Sequence, residues 1–169
     1  MAKKIITAFV LTLVLTQFSC DKKNDPTPTT AFDQQLTASK GWVLTAANLS
    51  PPLQIPGAPA GTPAVSDFFN LFMDACEKDD IVFFEAEGGF KIEEGVIKCD
   101  PASGQVKLQG TWIYNSTSRA ITITEMSSTD DSYSMTIEEL NSTTMKLSQV
   151  IDFGIGSVTT LTTTYEKVK

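Results

Sequence analysis

The sequence predicts an all-β protein: an eight-stranded antiparallel up-and-down barrel with one short helix after the first strand. Three observations lead there. Short runs rich in threonine, β-branched and aromatic residues follow one another from Gly41 to the C-terminus. Clusters of glycine, asparagine, aspartate, serine and proline separate them, as turns require. Nearly all these separations are short, so no long crossover is needed and a meander is favoured over a Greek-key sandwich. Inside, such a barrel is just wide enough to be filled by side chains or to hold one small ligand.

The first strand falls in GWVLTAA, Gly41 to Ala47, where Trp42, Leu44 and Ala46 alternate against Val43 and Thr45. Asn48 to Pro63 follows with five prolines and two glycines. Proline lacks the N–H that a ladder uses, so residues 48–63 are expected as a long stiff loop. Ser66 or Asp67 is placed to cap a short helix through Phe68, Phe69, Leu71, Phe72 and Met73. Ile81 to Ala86 and Phe90 to Glu94 form a hairpin about Glu87-Gly88-Gly89. A turn at Asp100 to Gly104 leads into Val106 to Asn115, where Val106, Leu108, Gly110, Trp112 and Tyr114 share one face. Ala120 to Met126, Tyr133 to Leu140, Thr143 to Ile151 and Ser157 to Val168 complete the eight.

The first nineteen residues are of another kind. Lys3 and Lys4 precede an apolar run from Ile5 to Phe18, followed by Ser19 and Cys20. A basic head, an apolar middle and a small residue describe a secretory signal. The run is too short for a bilayer core, which takes about 20 apolar residues. Cys20 after a small residue resembles the lipobox of bacterial lipoproteins, although Gln17 stands where that motif prefers leucine. On this reading residues 1–19 are removed and Cys20 carries the lipid. The plainer alternative is an ordinary cleaved signal that leaves Cys20 as a free thiol. Residues 20–40, in which Cys20 is followed by the polar DKKNDPTPTT, are expected as the lipidated cysteine and a flexible tether, and 41–169 as the barrel domain.

Charge and cysteine content narrow the function. Of 13 basic and 20 acidic residues, the signal removes Lys3 and Lys4, leaving a net charge of −9. Arg119 is the sole arginine. No nucleic-acid partner is expected, because phosphate neutralisation needs a basic surface. Adhesion to anionic lipid is equally unsupported, so the membrane partner is reached through the acyl chains. With Cys20 assigned to lipid, Cys76 and Cys99 remain, and an exported chain meets an oxidising compartment. Two cysteines without any histidine are too few ligands for a structural zinc, so a disulfide is expected. The absence of histidine also excludes Ser-His-Asp and Cys-His catalysis. No phosphate-cradling glycine motif is present, and no cofactor is implied.

The run Cys76-Glu77-Lys78-Asp79-Asp80, then Phe84, Gly88-Gly89-Phe90, Gly95, Lys98-Cys99-Asp100-Pro101 and Gly110-Thr111-Trp112, resembles the lipocalin-like lipoproteins common in Bacteroidetes. Trp42 resembles the tryptophan of their first strand. The resemblance spans Gly41 to the C-terminus and implies a lipocalin-like barrel in a cell-envelope lipoprotein, with Cys76 and Cys99 as the family's cysteine pair. The proline-rich insert departs from the pattern. The resemblance implies little about activity.

Four acidic doublets stand out: Asp79-Asp80, Glu93-Glu94, Asp130-Asp131 and Glu138-Glu139. Adjacent strand residues point to opposite faces, so these are expected as solvated turn and strand-end acids, Asp79-Asp80 being the least ordinary. Trp42, Phe84, Phe90, Trp112 and Tyr114 fall on inward phases and are either pocket wall or plain core. Phe68, Phe69 and Phe72 suit a lid over the barrel mouth or a docking patch. Asn115-Ser116-Thr117 and Asn141-Ser142-Thr143 read as turns. The leading expectation is a non-enzymatic lipoprotein, anchored to the outer membrane in the cell envelope, that binds a small apolar or amphipathic molecule. The alternative is an interaction module, an inhibitor or accessory subunit with an envelope protein partner, acting through its loops.

Overall fold

The computed structural model describes residues 31–37, 40–127, 132–154 and 157–169. The expected signal, Cys20, the first ten residues of the tether after it and Asp130-Asp131 lie outside the described residues. Nine strands are present among the described residues: β1 (Trp42–Leu53), β2 (Val65–Asp67), β3 (Ile81–Phe84), β4 (Gly89–Glu93), β5 (Val106–Asn115), β6 (Ala120–Glu125), β7 (Ser132–Leu140), β8 (Thr144–Asp152) and β9 (Val158–Lys167). Three helices join them: α1 (Ala31–Thr37), α2 (Phe68–Phe72) and α3 (Ala75–Lys78).

From β3 to β9 each strand pairs antiparallel with the next, and β1 pairs with both β3 and β9. The sheet is therefore closed. This is the eight-stranded antiparallel barrel that the alternating runs predict, with β2 as a short addition on the far half of β1. In a closed meander successive connections alternate between the two ends. The β3–β4, β5–β6 and β7–β8 turns share one end with the chain's entry at Gly41. The β1–β3 insert and the β4–β5, β6–β7 and β8–β9 connections share the other.

The first strand runs further than its sequence suggests. Residues 48–53, expected as the start of a stiff loop, continue β1. Pro51 and Pro52 are tolerated because neither neighbour needs their N–H there. The ladder with β9 ends at Ser50↔Thr160, and the register with β2 jumps from Asn48↔Asp67 to Leu53↔Val65. The phase also changes. An irregularity between Leu44 and Ala46 in the β1–β9 ladder turns Ala47 and Leu49 inward, so Ala46 is not on the Trp42 face as the simple alternation predicts.

The core holds Leu36, Trp42, Phe84, Phe90, Trp112, Ile121, Ile123, Ile137, Met145 and Leu147. Leu36 corrects the tether, which was expected to reach residue 40. Ala31–Thr37 form a helix whose Leu36 is completely buried. Phe32 stacks on Tyr114 at 3.8 Å between ring centroids, and the Leu36 carbonyl accepts a 3.1 Å bond from Trp42 Nε1. The short apolar face of α1 thus stoppers the end where the chain enters. Gly110 is needed in β5, where a β-carbon would overlap the Thr124 carbonyl of β6.

Other local readings hold in detail. Asp67 caps α2 by accepting a 2.9 Å bond from the Asn70 N–H. Asn115 Oδ1 accepts from the N–H groups of Thr117 and Ser118, and Asn141 Oδ1 from those of Thr143 and Thr144, so both asparagines build turns. Cys76 and Cys99 form the disulfide, tying α3 to the β4–β5 connection across 23 residues. A loop of that length is worth about 3–4 kcal/mol on the chain-entropy account.

Leu36→Ala tests the stopper. Removing this buried side chain is expected to cost about 2–5 kcal/mol, read as a lowered denaturant midpoint. A variant as stable as the parent means that α1 does not dock on the barrel.

Candidate functional site

The barrel is not packed solid. A cavity of about 190 Å³ lies within it, walled by Val82, Phe84, Phe90, Ile92, Ile123, Met135, Met145, Leu147 and Leu161. Gln149, Thr163, Tyr133 and Tyr165 supply its polar atoms. Inward positions of β3, β4 and β6 to β9 form this wall. An apolar cavity of about 150 Å³ accommodates a benzene ring, and pockets for drug-sized molecules begin near 300 Å³. The chamber therefore suits one ring or a short chain.

Of the five aromatics singled out as pocket candidates, Phe84 and Phe90 line the chamber. Trp42, Trp112 and Tyr114 do not line it. The two tryptophans sit in the core with their indole N–H groups satisfied by backbone carbonyls, Trp42 by Leu36 and Trp112 by Glu85. Tyr114 lies under Phe32. Phe84 joins the two groups, tilted on Phe90 at 5.3 Å and edge-on to Trp112 at 5.7 Å.

The stoppered end is closed by these aromatics and α1. At the other end, Leu49, Leu53, Val65, Phe68 and Leu161 form a second, smaller cluster. It shares Leu161 with the chamber wall, so the insert and α2 border the mouth. Leu71 and Phe72 of α2 remain exposed. Phe69 instead lies beneath the Lys78 ammonium, 5.0 Å from its ring centroid.

A recess of about 200 Å³ adjoins the chamber and shares Val82, Ile92 and Tyr165 with it. Leu44, Met73, Glu77, Asp80 and Lys107 complete its lining. Lys107 owes its place there to an irregularity in the β4–β5 ladder. Ile92 pairs with Leu108 and Glu93 with Val106, so Lys107 has no partner residue opposite and is free of the strand's alternation. Its ammonium lies 2.8 Å from Asp80 Oδ2. Desolvation draws the Lys107 pKa down. The hydrogen bond and charge of Asp80, with Glu94 and Glu77 beyond, outweigh it and hold the pKa above that of a free lysine.

The acids here correct the solvated reading of the doublets. Asp80 is 8% exposed and Glu94 only 5%. Glu94 Oε2 accepts from the Cys99 N–H, and Asp79 Oδ2 from the Ile97 N–H. Gly95 sits so close to Asp79 that a β-carbon would overlap its carbonyl and carboxylate. Asp79 Oδ1 and Asp80 Oδ1 are buried without a hydrogen-bond partner among the described residues. Sequence alternation missed this site, because strand-end geometry and a ladder irregularity assemble it. The unusual position of Asp79-Asp80, following Cys76 by a few residues and opening a strand, was the available signal. No group of three or more metal-ligating residues is present among the described residues.

Together these features define a small antiparallel β-barrel with an apolar chamber and an acidic mouth. The chain matches no protein-family model and no curated protein. Among solved structures it is similar to a complex of bovine odorant binding protein with a selenium-containing odorant, at 14% identity and a TM-score of 0.41. That match covers 81% of this chain and 73% of the other. At this level the likeness adds nothing to the strand pairings, which define the barrel by themselves.

The chamber's phenols carry a pH signature. Burial, with Glu125 and Tyr165 nearby, pushes Tyr133 up to about 12. Burial also raises Tyr165, against a hydrogen bond with Thr163 that lowers it. A raised phenol pKa favours the neutral folded form, so its contribution is complete below the ordinary value near 10. It is lost as pH rises through about 12. Denaturant midpoints measured over that interval are expected to fall for the parent and to fall less for Tyr133→Phe. Equal slopes mean that Tyr133 is solvated.

Proposed function

We propose that this protein is a non-enzymatic binder of a small apolar or amphipathic molecule held inside the barrel. The chamber carries this reading: about 190 Å³ with a mostly apolar wall and four polar side chains available to orient a guest. Its size favours a single ring or a short chain over a long acyl tail. Ethylbenzene is expected to bind and to be retained in native mass spectrometry, leaving on denaturation. Met135→Trp, which fills the chamber from β7, is expected to reduce that binding at least tenfold while the protein stays folded. Unchanged binding in this variant rules out the chamber as the site.

We infer further that the protein works in the cell envelope, lipid-anchored to the outer membrane through Cys20. The basic head, apolar run and Ser19-Cys20 support this, as does a disulfide suited to an oxidising compartment. Membrane fractionation reads it directly. Cys20→Ser is expected to move the protein from the membrane fraction to the soluble fraction, and equal partition of the two forms removes the anchor.

A second reading, as a module that docks on an envelope protein, rests on the exposed Leu71 and Phe72 of α2. Association lost in Leu71→Ser and Phe72→Ser, with ethylbenzene binding intact, favours it.

A further inference from the structure

We propose that the recess at the chamber mouth is a cation subsite, so that the preferred guest is a small amphipathic amine with its protonated head at Asp80 and Glu77 and its apolar body in the chamber. This rests on the reading of the barrel as a small-molecule binder and names the class of molecule.

The geometry comes first. Recess and chamber are immediate neighbours, since Val82, Ile92 and Tyr165 line both. Each is about the size of one ring. A molecule extending from one into the other needs only a short arm between its apolar body and its head. Tyr165 stands at the junction.

Charge gives the sign of the head. Among the described residues Lys107 is the only cation lining the recess, against the carboxylates of Glu77 and Asp80. Lys107 satisfies one oxygen of Asp80. The other, Oδ1, is buried without a donor, on a residue that is 8% exposed. A buried carboxylate oxygen lacking a donor is costly, and a charge-assisted hydrogen bond is among the stronger polar contacts available. Oδ1 is sealed off as it stands, so an ammonium entering the recess reaches it through a rotation of the Asp80 carboxylate, then supplies that donor and neutralises the excess negative charge. A carboxylate head meets the same charge as repulsion. A hydroxyl head supplies a donor without the charge.

Calorimetric titration of the disulfide-bonded protein with probes sharing one apolar body tests this. The probes are 2-phenylethylamine, 2-phenylethanol, 3-phenylpropionate and ethylbenzene at neutral pH. The amine is expected to bind at least tenfold more tightly than the alcohol, and the carboxylate most weakly. Asp80→Asn is expected to abolish the amine's advantage over the alcohol while ethylbenzene, which has no head group, binds as before. Because Asp80→Asn leaves Lys107 without its partner and can unfold the protein, Glu77→Gln at the rim serves as the second variant. It is expected to lower amine affinity several-fold and leave ethylbenzene affinity unchanged. Equal affinities for amine and alcohol overturn the cation subsite and leave the chamber reading intact. An amine preference that survives both substitutions overturns it as well. Failure of all four probes to bind overturns the chamber reading and this proposal with it.

Discussion

Everything in this molecule depends on the pairing of β1 with β9. Eight residue pairs, from Trp42↔Lys167 to Ser50↔Thr160, close the sheet on itself. Without that ladder both strands are open edges, and a twisted eight-stranded sheet has no interior. With it, inward residues from all sides face one another and apolar burial becomes collective. β1 also carries the means of adjusting the barrel. Its irregularity near Thr45 rotates the later half of the strand and brings Ala47 and Leu49 onto the inner face. The same strand then extends past the barrel rim to hold β2 and α2.

The two ends of the barrel are finished in opposite ways. At one end, α1 drives Leu36 into the core, Phe32 covers Tyr114, and the indoles of Trp42 and Trp112 are bonded to backbone carbonyls. That end is dense and its polar atoms are satisfied. At the other, the wall gives way to a cavity, a recess and two buried carboxylate oxygens without donors among the described residues. Natural interiors seldom leave such groups unpaired. The Cys76–Cys99 bridge holds α3 and the β4–β5 connection together beside this less satisfied end. Covalent constraint thus stands where packing is thinnest.

The barrel was legible because strand alternation and turn chemistry are local properties. Leu108 to Asn115 and Ala120 to Glu125 bury alternate residues as their sequences suggest, whereas Val106, expected on the same inward face, lies beyond the ladder irregularity and is exposed. The cysteine pair was legible from compartment and count. Three things were not. The helix at Ala31–Thr37 is seven residues long and is held by Leu36 and Phe32, so its formation depends on a barrel that must already exist. The continuation of β1 through Pro51 and Pro52 depends on which ladder positions go unused, and this is a matter of register rather than composition. The mouth depends on a single extra residue, Lys107, which places an ammonium against Asp80 where alternation assigns it to solvent. Among the aromatics, inward phase was correctly read, but phase cannot separate wall from filling. Phe84 and Phe90 border space, whereas Trp42 and Trp112 occupy it.

The position of α1 gives the molecule a direction. Because the chain enters the barrel through the stoppered end, whatever is joined ahead of Ala31 is attached behind the core, with the acidic mouth at the opposite pole. A surface that holds the protein by its N-terminal side is therefore met by the blind face. On the anchored, small-molecule-binding reading proposed above, exchange with the chamber is then directed toward the surrounding fluid, and a guest reaches it without first crossing the place of attachment.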